Sequence, residues 1–335
     1  MRYEIVELLK EAAPGFVSGQ ELGRRFEISR AAIWKHIEEL RQEGYSIEAV
    51  PRKGYRLISS EDRLNSYEIA NNLSTFIVGR KVEYFDTLDS TNNFAKKLAG
   101  EGCPDGTAIV AGQQIAGRGR MGRSWDSPAN KGIYITVVLR PPMAPEETQI
   151  LTLAAAVATA KGISAATGIG TGIKWPNDLV IEGRKVCGIL VEMSSEADRV
   201  NHIVLGIGIN YSQADDEFPD ELKHRAISLR MASQNIKEGS TKEMSKLSVI
   251  RSVLRELDSC YQMVLNGKHK EILDMWKKNS VTIGREVRFT MGDVEYTGIA
   301  TGITTDGRLS VDCTDGKRRD LLSGEVSVRG IYGYV

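Results

Sequence analysis

The densest group of residues that could do chemistry is the segment GRGRMGRSW, at residues 117–125, which interleaves glycines with arginines. Glycine lets a backbone approach an anion closely, and arginine binds phosphate oxygens through two parallel hydrogen bonds. The segment contains G-x-G-x-x-G, but a strand at 133–139 follows, where a dinucleotide-binding fingerprint needs a helix. A P-loop is excluded because no glycine–lysine–serine/threonine follows. A phosphate-binding loop is therefore predicted; the alternative, a solvated basic loop, does not explain the glycines or Trp125.

A second cluster of chemical groups is formed by KWPND, at residues 174–178, and KVCGILVE, at residues 185–192. Lys174 and Asp178 flank a proline turn, and Lys185 stands at the mouth of an apolar strand. A lysine at that position is poorly solvated and favours an anionic partner. Two interpretations have equal weight: an anionic ligand, or a structural salt bridge to Asp178 or Glu192.

Composition and charge exclude several classes of protein. The 335 residues suffice for two or three domains, and 41% hydrophobic with 26% charged residues is typical of a soluble globular protein. Net charge is zero, so nucleic-acid binding needs a local basic surface. The four cysteines are far apart and predict reduced thiols, not a zinc site or disulfides. The N-terminus is unlike a secretory signal and the apolar run 150–160 is too short to span a bilayer, which predicts a cytoplasmic protein without membrane contact.

The elements that must position the two clusters belong to a predicted central α/β domain. Apolar, β-branched runs predict strands at residues 82–85, 108–113, 133–139, 188–193 and 203–209. Helical periodicity covers residues 91–99, 146–166 and 245–266. Alternation of the two kinds of element between residues 67 and 270 predicts a mixed α/β domain around one sheet.

Residues 1–60 predict three short helices and a β-hairpin. Apolar positions at near-helical spacing fill residues 3–12, Ser18 and Glu21 match a capping box, and Ser29 can cap the third helix. Strands at 45–50 and 55–58 flank PRKG, a turn that carries two cations. This order is typical of a winged helix–turn–helix, whose second motif helix enters the major groove of DNA.

The predicted DNA face combines that third helix with the tip of the hairpin. Its apolar positions face the core, so its cations, Arg41 among them, face outward, where they suit phosphates. The residues predicted to bind DNA are Ser29, Arg30, Trp34, Lys35, Arg52 and Lys53. The alternative is an ordinary solvated face, since residues 1–60 carry about ten basic and nine acidic side chains. A single module of this size binds DNA weakly, so a dimer is expected.

From Val281 the pattern changes to short alternating strands separated by turns that contain glycine. The predicted strands are 286–290, 295–303, 308–313, 317–322 and 326–328. They predict a small antiparallel barrel. The three predicted domains are residues 1–62, residues 63–278 and residues 279–335.

Taken in order, DSTN at residues 89–92, GRGRMGRSW, KWPND and KVCGILVE resemble the biotin–protein ligase family. The N-terminal SRAAIWKHIEELRQEGY and the following PRKGYRL resemble its repressor subgroup, the biotin operon repressors. The resemblance covers essentially the whole chain. It implies a winged helix–turn–helix, a central mixed α/β ligase domain of the class II synthetase type, and a C-terminal SH3-like β-barrel.

The resemblance also implies a two-step reaction with biotin, ATP and Mg²⁺. The biotin carboxylate attacks the α-phosphate of ATP to give biotinyl-5′-AMP, and a lysine of a carrier protein then takes the biotin. The implied partners are the biotin carboxyl carrier protein of acetyl-CoA carboxylase, operator DNA, and a second copy of the chain once the adenylate is bound. No enzyme nucleophile is needed, which agrees with a sequence that shows no Ser-His-Asp or Cys-His arrangement.

Site residues follow from the matched motifs. The implied catalytic residues are Lys185, Arg118, Arg120 and Asp178, where Asp178 orients either Mg²⁺ or the incoming lysine. The implied biotin-binding residues are Ser90, Thr91, Asn92, Gln114, Arg118, Gly119, Arg120, Lys185, Gly188 and Leu190. The implied adenylate-binding residues are Arg118, Arg120, Arg123, Trp125, Lys174, Asn177, Lys185 and Asn210. Trp125 either stacks on adenine or packs in the core.

Two positions depart from the family pattern. Met121 stands where the loop often carries another arginine, which implies altered retention of the adenylate, and Ile115 stands where a second glutamine is common. Three other functions stay open: a lipoate–protein ligase, a transcription factor that senses biotin without ligating it, and a ligase whose N-terminal module does not bind DNA. The loop and the N-terminal module disfavour the first, and Lys185 with the arginines disfavours the second.

Overall fold

The computed structural model describes residues 1–59, 64–196, 198–235, 244–322 and 329–330 of the chain. The chain divides into two compact units, Met1–Glu68 and Ile69–Val335. The predicted boundary after residue 62 falls at residues 60–63, which lie outside the described residues.

The first unit contains three helices followed by a hairpin. The helices are α1 (Arg2–Glu11), α2 (Gly19–Phe26) and α3 (Arg30–Gln42), and the hairpin strands are β1 (Ser46–Val50) and β2 (Gly54–Ser59). Both serines cap their helices as predicted: the Ser18 hydroxyl accepts a hydrogen bond from the backbone N–H of Glu21 at 3.0 Å, and that of Ser29 accepts one from Ala32 at 3.2 Å. The reciprocal bond to the Glu21 side chain, which a full capping box requires, is not among the hydrogen bonds of the described residues. One apolar cluster joins the helices to the hairpin, so the unit has its own core.

Arg41 does not face outward as predicted. Its Nε and Nη2 atoms donate to the Ile47 carbonyl at 3.0 and 2.7 Å, and Nη1 pairs with Glu38 at 2.6 Å. The side chain therefore ties α3 to the first hairpin strand. Helical spacing alone could not reveal this bond, because the acceptor belongs to the backbone of another element.

The central part of the second unit is a seven-stranded mixed sheet with helices packed against it. Its strands are β3 (Val82–Phe85), β4 (Ala108–Ala111), β5 (Gly132–Leu139), β6 (Gly172–Lys174), β7 (Asp178–Ile181), β8 (Arg184–Ser195) and β9 (Val200–Asn210). They lie in the order β3-β4-β5-β9-β8-β7-β6, and only the β3–β4 pair is parallel. Helices α5 (Thr91–Gly100), α6 (Gln149–Thr167), α8 (Lys246–Leu265) and α9 (His269–Asn279) contact this sheet. Two short helices complete the set: α4 (Ser66–Ala70), where the first unit ends at Glu68, and α7 (Leu229–Gln234).

The predicted mixed α/β domain is confirmed, with two differences. Strands β6 and β7 were not predicted, because KWPND reads as a turn and leaves only short apolar runs on either side. Strand β8 is longer than predicted at both ends. Among the described residues, one helical segment, Pro145–Thr167, is apolar and long enough to cross a membrane, but 83% of its apolar window is buried inside the protein. That burial is typical of a core helix.

Asp258 on α8 fixes the chain just before β3. Its buried carboxylate accepts hydrogen bonds from the backbone N–H groups of Phe76, Ile77 and Val78 at 2.8–3.0 Å, and from the Gln262 side chain at 2.8 Å. Such bonds to a carboxylate are charge-assisted, and losing the acceptor leaves buried donors unsatisfied.

Asp258→Ala should therefore lower the free energy of unfolding of the second unit by about 3 kcal/mol. Urea denaturation followed by tryptophan fluorescence measures the change. Asp274→Ala is the matched control, because that side chain is 58% exposed and 3.9 Å from Lys277. Equal stability of the two variants would contradict the role given to Asp258.

The C-terminal part of this unit is an antiparallel sheet in the order β13-β12-β11-β10-β14. Its strands are β10 (Glu286–Met291), β11 (Val294–Ile303), β12 (Leu309–Cys313), β13 (Arg318–Leu321) and the two-residue β14 (Arg329–Gly330). The first four predicted strands are confirmed, and the predicted strand at 326–328 lies outside the described residues. Buried Trp175 joins the sheet to the KWPND turn, since its backbone N–H donates to Thr282 Oγ1 at 2.9 Å and its Nε1 to the Gly307 carbonyl at 3.4 Å.

Candidate active site

A cavity of about 820 Å³ opens in the second unit between the glycine–arginine loop, the KWPND turn, strands β8 and β9, and the segment 213–226. This volume lies within the range of small-molecule and cofactor sites. Most of the predicted site residues line it: Thr91, Gln114, Arg118, Gly119, Arg120, Arg123, Trp125, Lys174, Asn177, Asp178, Lys185, Gly188, Leu190 and Asn210. Motifs that are far apart in the sequence therefore meet at one place.

The cavity floor is made of β8 and β9, which are antiparallel neighbours with Gly188 opposite Gly208. Trp125 lies on these two glycines. A Cβ atom at Gly208 would stand 2.5 Å from Nε1 of Trp125, and one at Gly188 would stand 2.8 Å from its Cζ3. Glycine is needed at both positions so that the ring can lie flat on the sheet. The half-buried ring thus packs on the floor and also lines the cavity.

Lys185 forms the structural salt bridge that the sequence left open, and its partner is Asp178. The Nζ–Oδ1 distance is 2.6 Å, with both groups largely shielded from solvent. The ammonium also stands 5.3 Å from the ring centroid of Trp125, within cation–π range. Because these groups line the open cavity, the pair holds a cation at a fixed place where an anionic ligand can reach it.

Arg120 supplies a second cation near that pair. Its Nη1 donates to Asn177 Oδ1 at 2.9 Å, and Asn177 in turn donates to the Ile189 carbonyl at 2.7 Å. Burial lowers the pKa of the Arg120 guanidinium from its ordinary value; Asp178 opposes the shift and Arg123 adds to it. A guanidinium stays charged through such a shift, so this end of the cavity favours an anion.

Arg118 points to the other end of the floor. Its Nη1 donates to Asn93 Oδ1 at 3.0 Å and its Nη2 lies 3.3 Å from Glu192 Oε1. The resemblance implied one shared role for Arg118 and Arg120, whereas the structure anchors their side chains at different places. The contact between Arg118 and Glu192 was not predicted.

A hydrogen-bonded polar wall stands behind the loop. Gln114 Oε1 accepts from the backbone N–H and the hydroxyl of Thr91 at 2.8 and 2.9 Å, and Gln114 Nε2 donates to Ser127 Oγ at 2.9 Å. Ser90 and Asn92 are buried and are not among the described residues that line the cavity. The Ser90 hydroxyl has no hydrogen-bond partner within the described part of the chain.

Several residues that line the cavity were not predicted from the sequence. They are Phe218, Leu222, His224, Arg225 and Ala226 from the irregular segment before α7, and Arg288 from β10. The segment has no periodic pattern, and it reaches the site through backbone bonds: Lys185 N–H donates to the Arg225 carbonyl at 2.7 Å. No group of three or more His, Cys, Asp or Glu side chains that could hold a metal occurs within the described ranges.

The first unit carries the predicted DNA-binding residues on its surface. Ser29, Arg30 and Lys35 are exposed on or beside α3, and Trp34 is 58% exposed there. Arg52 and Lys53 are exposed at the tip of the hairpin, where Arg52 adopts φ = 68°. Exposed cations along a helix and at a hairpin tip form the kind of local basic surface that nucleic-acid binding requires.

Three family models match successive parts of the chain. They are "HTH domain" at residues 2–56, "Biotin/lipoate A/B protein ligase family" at residues 84–210 and "Biotin protein ligase C terminal domain" at residues 282–329. The bifunctional ligase/repressor BirA of Bacillus spizizenii is 41% identical over 328 residues, which cover 98% of this chain and 98% of that protein. The chain belongs to the BirA family of bifunctional ligase/repressors.

Two further comparisons agree. BirA of Escherichia coli is 33% identical over 314 residues, covering 94% of this chain and 93% of that protein. The biotin protein ligase from Aquifex aeolicus, solved in complex with biotin and ATP, has a TM-score of 0.63 at 28% identity, covering 75% of this chain and 99% of that one. The resemblance inferred from the motifs is thus confirmed.

Proposed function

We propose that the chain is an ATP-dependent biotin–protein ligase that also acts as a biotin-responsive repressor of biotin genes. The observation that carries the ligase activity is the meeting of the glycine–arginine loop, the KWPND turn and Lys185 around one cavity. The exposed cations and Trp34 of the helix–turn–helix unit support the repressor activity. Relatives named bifunctional ligase/repressor match the chain over almost its full length.

In the first half-reaction the biotin carboxylate attacks the α-phosphorus of ATP. The bond to the β-phosphate oxygen breaks, pyrophosphate leaves, and biotinyl-5′-AMP forms. Lys185 stands between the carboxylate and the α-phosphate, and Arg120 faces the same phosphate. Fixed cations stabilise the charge that gathers there without having to reorganise, so no enzyme nucleophile is needed.

In the second half-reaction the amine of an acceptor lysine attacks the acyl carbon of the adenylate. An amide forms, AMP leaves, and the amine loses a proton. Asp178 orients the incoming amine from its place beside Lys185. We assign the acceptor to the biotin carboxyl carrier protein of acetyl-CoA carboxylase. A Mycobacterium tuberculosis relative, 30% identical over 254 residues, is named biotin--[acetyl-CoA-carboxylase] ligase.

Biotin occupies the end of the floor that lies under the start of the loop. Leu190 and Gly188 wall the ring system, the backbone of Arg118 and Gly119 covers it, and the Thr91–Gln114 pair supplies polar contacts. Buried Ser90 and Asn92 support this wall from behind. A mostly apolar pocket with a few fixed polar groups is typical of small-ligand sites.

The nucleotide occupies the end near the KWPND turn. Trp125 offers adenine a flat surface, and Lys174, Asn177 and Arg123 face the phosphates. Asn210 closes this end, since its Nδ2 donates to the carbonyls of Lys185 and Ile227 at 3.3 Å each.

A magnesium ion fits this site as a companion of the triphosphate. Mg²⁺ in phosphoryl-transfer sites usually takes one or two carboxylates together with phosphate oxygens and water. Asp178 is the candidate carboxylate, although it is paired with Lys185. When it is bound, the ion would neutralise negative charge on the triphosphate of ATP.

Further parts of the proposal rest on the family alone. We assign the central domain to the class II synthetase type and the C-terminal antiparallel sheet to an SH3-like barrel that completes the nucleotide and acceptor surfaces. We also assign the protein to the cytoplasm, as a homodimer that forms on adenylate binding and then binds a two-half-site operator. A ligand must favour the dimer-competent state for such coupling to exist.

The direct test is transfer of labelled biotin to a purified carrier domain with Mg-ATP. Biotinyl-AMP formed without the acceptor, and biotinylated acceptor formed with it, are the expected results. A chain that binds biotin but forms neither product is a sensor without ligase activity, and the catalytic assignments are then wrong.

Gly208→Ala should raise the KM for ATP about 10-fold, because the added methyl group displaces Trp125 from the floor. Steady-state adenylation at varied ATP measures this change. Gly170→Ala is the matched control, since a Cβ there meets nothing within 4 Å. An unchanged KM in Gly208→Ala would show that the position of Trp125 does not matter to the nucleotide.

A further inference from the structure

The Glu192 carboxylate binds three side chains at the end of strand β8 that is remote from Lys185. Its Oε1 lies 2.7 Å from Lys96 Nζ and 3.3 Å from Arg118 Nη2, and its Oε2 accepts from Asn92 Nδ2 at 2.9 Å. The carboxylate is 20% exposed, more protected than either cation. Burial raises the pKa of Glu192, but the bonds from Asn92 and Lys96 outweigh burial and leave the pKa below its ordinary value. The group is therefore a fixed anion near neutral pH.

The position of Glu192 on β8 separates it from the reacting groups. Gly188, Leu190 and Glu192 alternate along the strand and so share one face of the sheet. The Lys185 ammonium lies beside Gly188, 3.2 Å from where a Cβ would stand. Four residues of strand, about 13 Å, thus separate the ammonium from Glu192.

The two arginines of the loop consequently have different anchors. Arg120 is bonded to Asn177 next to the Lys185–Asp178 pair, whereas Arg118 is bonded to Glu192 and Asn93 at the far end. The backbone between them crosses above the floor, and Gly119 N–H donates to the Arg123 carbonyl at 2.7 Å. The loop is therefore attached to the floor of the cavity at both ends, through Arg118 and through Arg120.

We infer that Glu192 is the anchor that holds the loop closed over the biotin end of the cavity through Arg118. The inference deepens the proposed function and rests on it. Arg118 is then a positioning residue and not a ligand of the α-phosphate, because reaching that phosphate requires it to leave Glu192. Glu192 acts through Arg118 and touches no substrate.

A double-mutant cycle of Glu192→Gln and Arg118→Met tests the inference. Each single variant should raise the Kd for biotin about 5- to 10-fold, measured by calorimetry without ATP, because each breaks the same partly exposed charge pair. For Glu192→Gln, adenylation in a single turnover at saturating biotin and ATP should stay within about 2-fold of wild type, because Glu192 touches no substrate. The double variant should bind biotin no more weakly than the weaker-binding single variant, since the contact between Arg118 and Glu192 is already lost in each single variant.

Two results would overturn the inference. If the increases in the Kd for biotin of the two single variants multiply in the double variant, the two residues act independently. A loss of about 10-fold or more in the saturated adenylation rate of Arg118→Met would make it a ligand of the reacting phosphate. Glu101→Gln at the end of α5 is the matched control, because its carboxylate is 58% exposed and 4.0 Å from Lys97.

A measurement without ligand separates this inference from the proposed function. Trypsin should cut the ligand-free Glu192→Gln chain after Arg118 about 5 times faster than wild type, while cuts elsewhere keep their rates and report an intact fold. Equal cutting after Arg118 overturns the anchor whether or not biotin binds. If Glu192→Gln is cut faster after Arg118 but the wild-type chain neither binds nor activates biotin, the result supports Glu192 as the anchor of the loop and contradicts the proposed ligase function.

Discussion

Lys185→Met is expected to lower the rate of biotinyl-AMP formation about 1,000-fold, the magnitude typical of losing one fixed group that stabilises transition-state charge. The ammonium is held at 2.6 Å from Asp178 and 5.3 Å from the Trp125 ring centroid, so its position is set before any ligand arrives. Methionine keeps most of the side-chain volume and removes only the charge. Single-turnover formation of labelled adenylate at saturating biotin and ATP measures the effect.

The control for this variant is Lys97→Met, the same substitution at a lysine that is 69% exposed on α5. It should leave the rate unchanged. If Lys185→Met kept more than about a tenth of the wild-type rate, the salt bridge with Asp178 would be structural only, and another cation would have to neutralise the phosphate. The experiment therefore decides between the two interpretations that the sequence left with equal weight.

The sequence could predict which loop, turn and lysine meet at the cavity, because local chemistry marks them. Glycines between arginines let the backbone and the guanidinium groups approach an anion closely. A lysine at the mouth of an apolar strand is poorly solvated, so its ammonium needs an anionic partner. Strand β3 and helices α5 and α8 could be predicted because strong periodicity and flanking turns bound them. The serine caps of α2 and α3 could be predicted because the donors lie three residues away.

Partners that are distant in the sequence could not be predicted. The pair of Arg118 and Glu192 joins a loop to a strand 74 residues later, and the geometry of the sheet alone brings them together. The same holds for Trp175 and Gly307, which attach the C-terminal sheet to the site. Segment 218–226 carries no periodic signal, because it is held by backbone bonds that any sequence can make.

These limits have a physical consequence for function. Residues that touch the substrate are specified by their own chemistry, so they can be recognised from motifs. Residues that hold those groups in place, such as Asn93 for Arg118 or Ser127 for Gln114, have ordinary polar side chains. Their role is visible only in the fold, and they decide whether the site is preorganised before ligands bind.

The other large expected effect concerns DNA. Lys35→Ala combined with Lys53→Ala should weaken binding to duplex DNA about 100-fold at 0.1 M salt, because each cation neutralises a phosphate and releases a counterion. Lys35 is exposed on α3 and Lys53 at the tip of the hairpin, so the pair samples both parts of the predicted face. The probe is a duplex selected by the wild-type chain from a randomised pool, with binding followed by fluorescence anisotropy in the presence of biotin and Mg-ATP.

The salt dependence of binding separates this explanation from loss of folding. Removing two phosphate contacts should reduce the slope of log K against log salt by about 2, while the rate of adenylate formation stays at the wild-type value. Lys97→Ala with Lys277→Ala is the matched control, because those lysines are 69% and 44% exposed in the second unit. An unchanged slope in the Lys35/Lys53 variant would mean that α3 and the hairpin do not contact the phosphates. Binding would then have to use another surface, and the chain would be a ligase whose first unit does not bind DNA as its fold suggests.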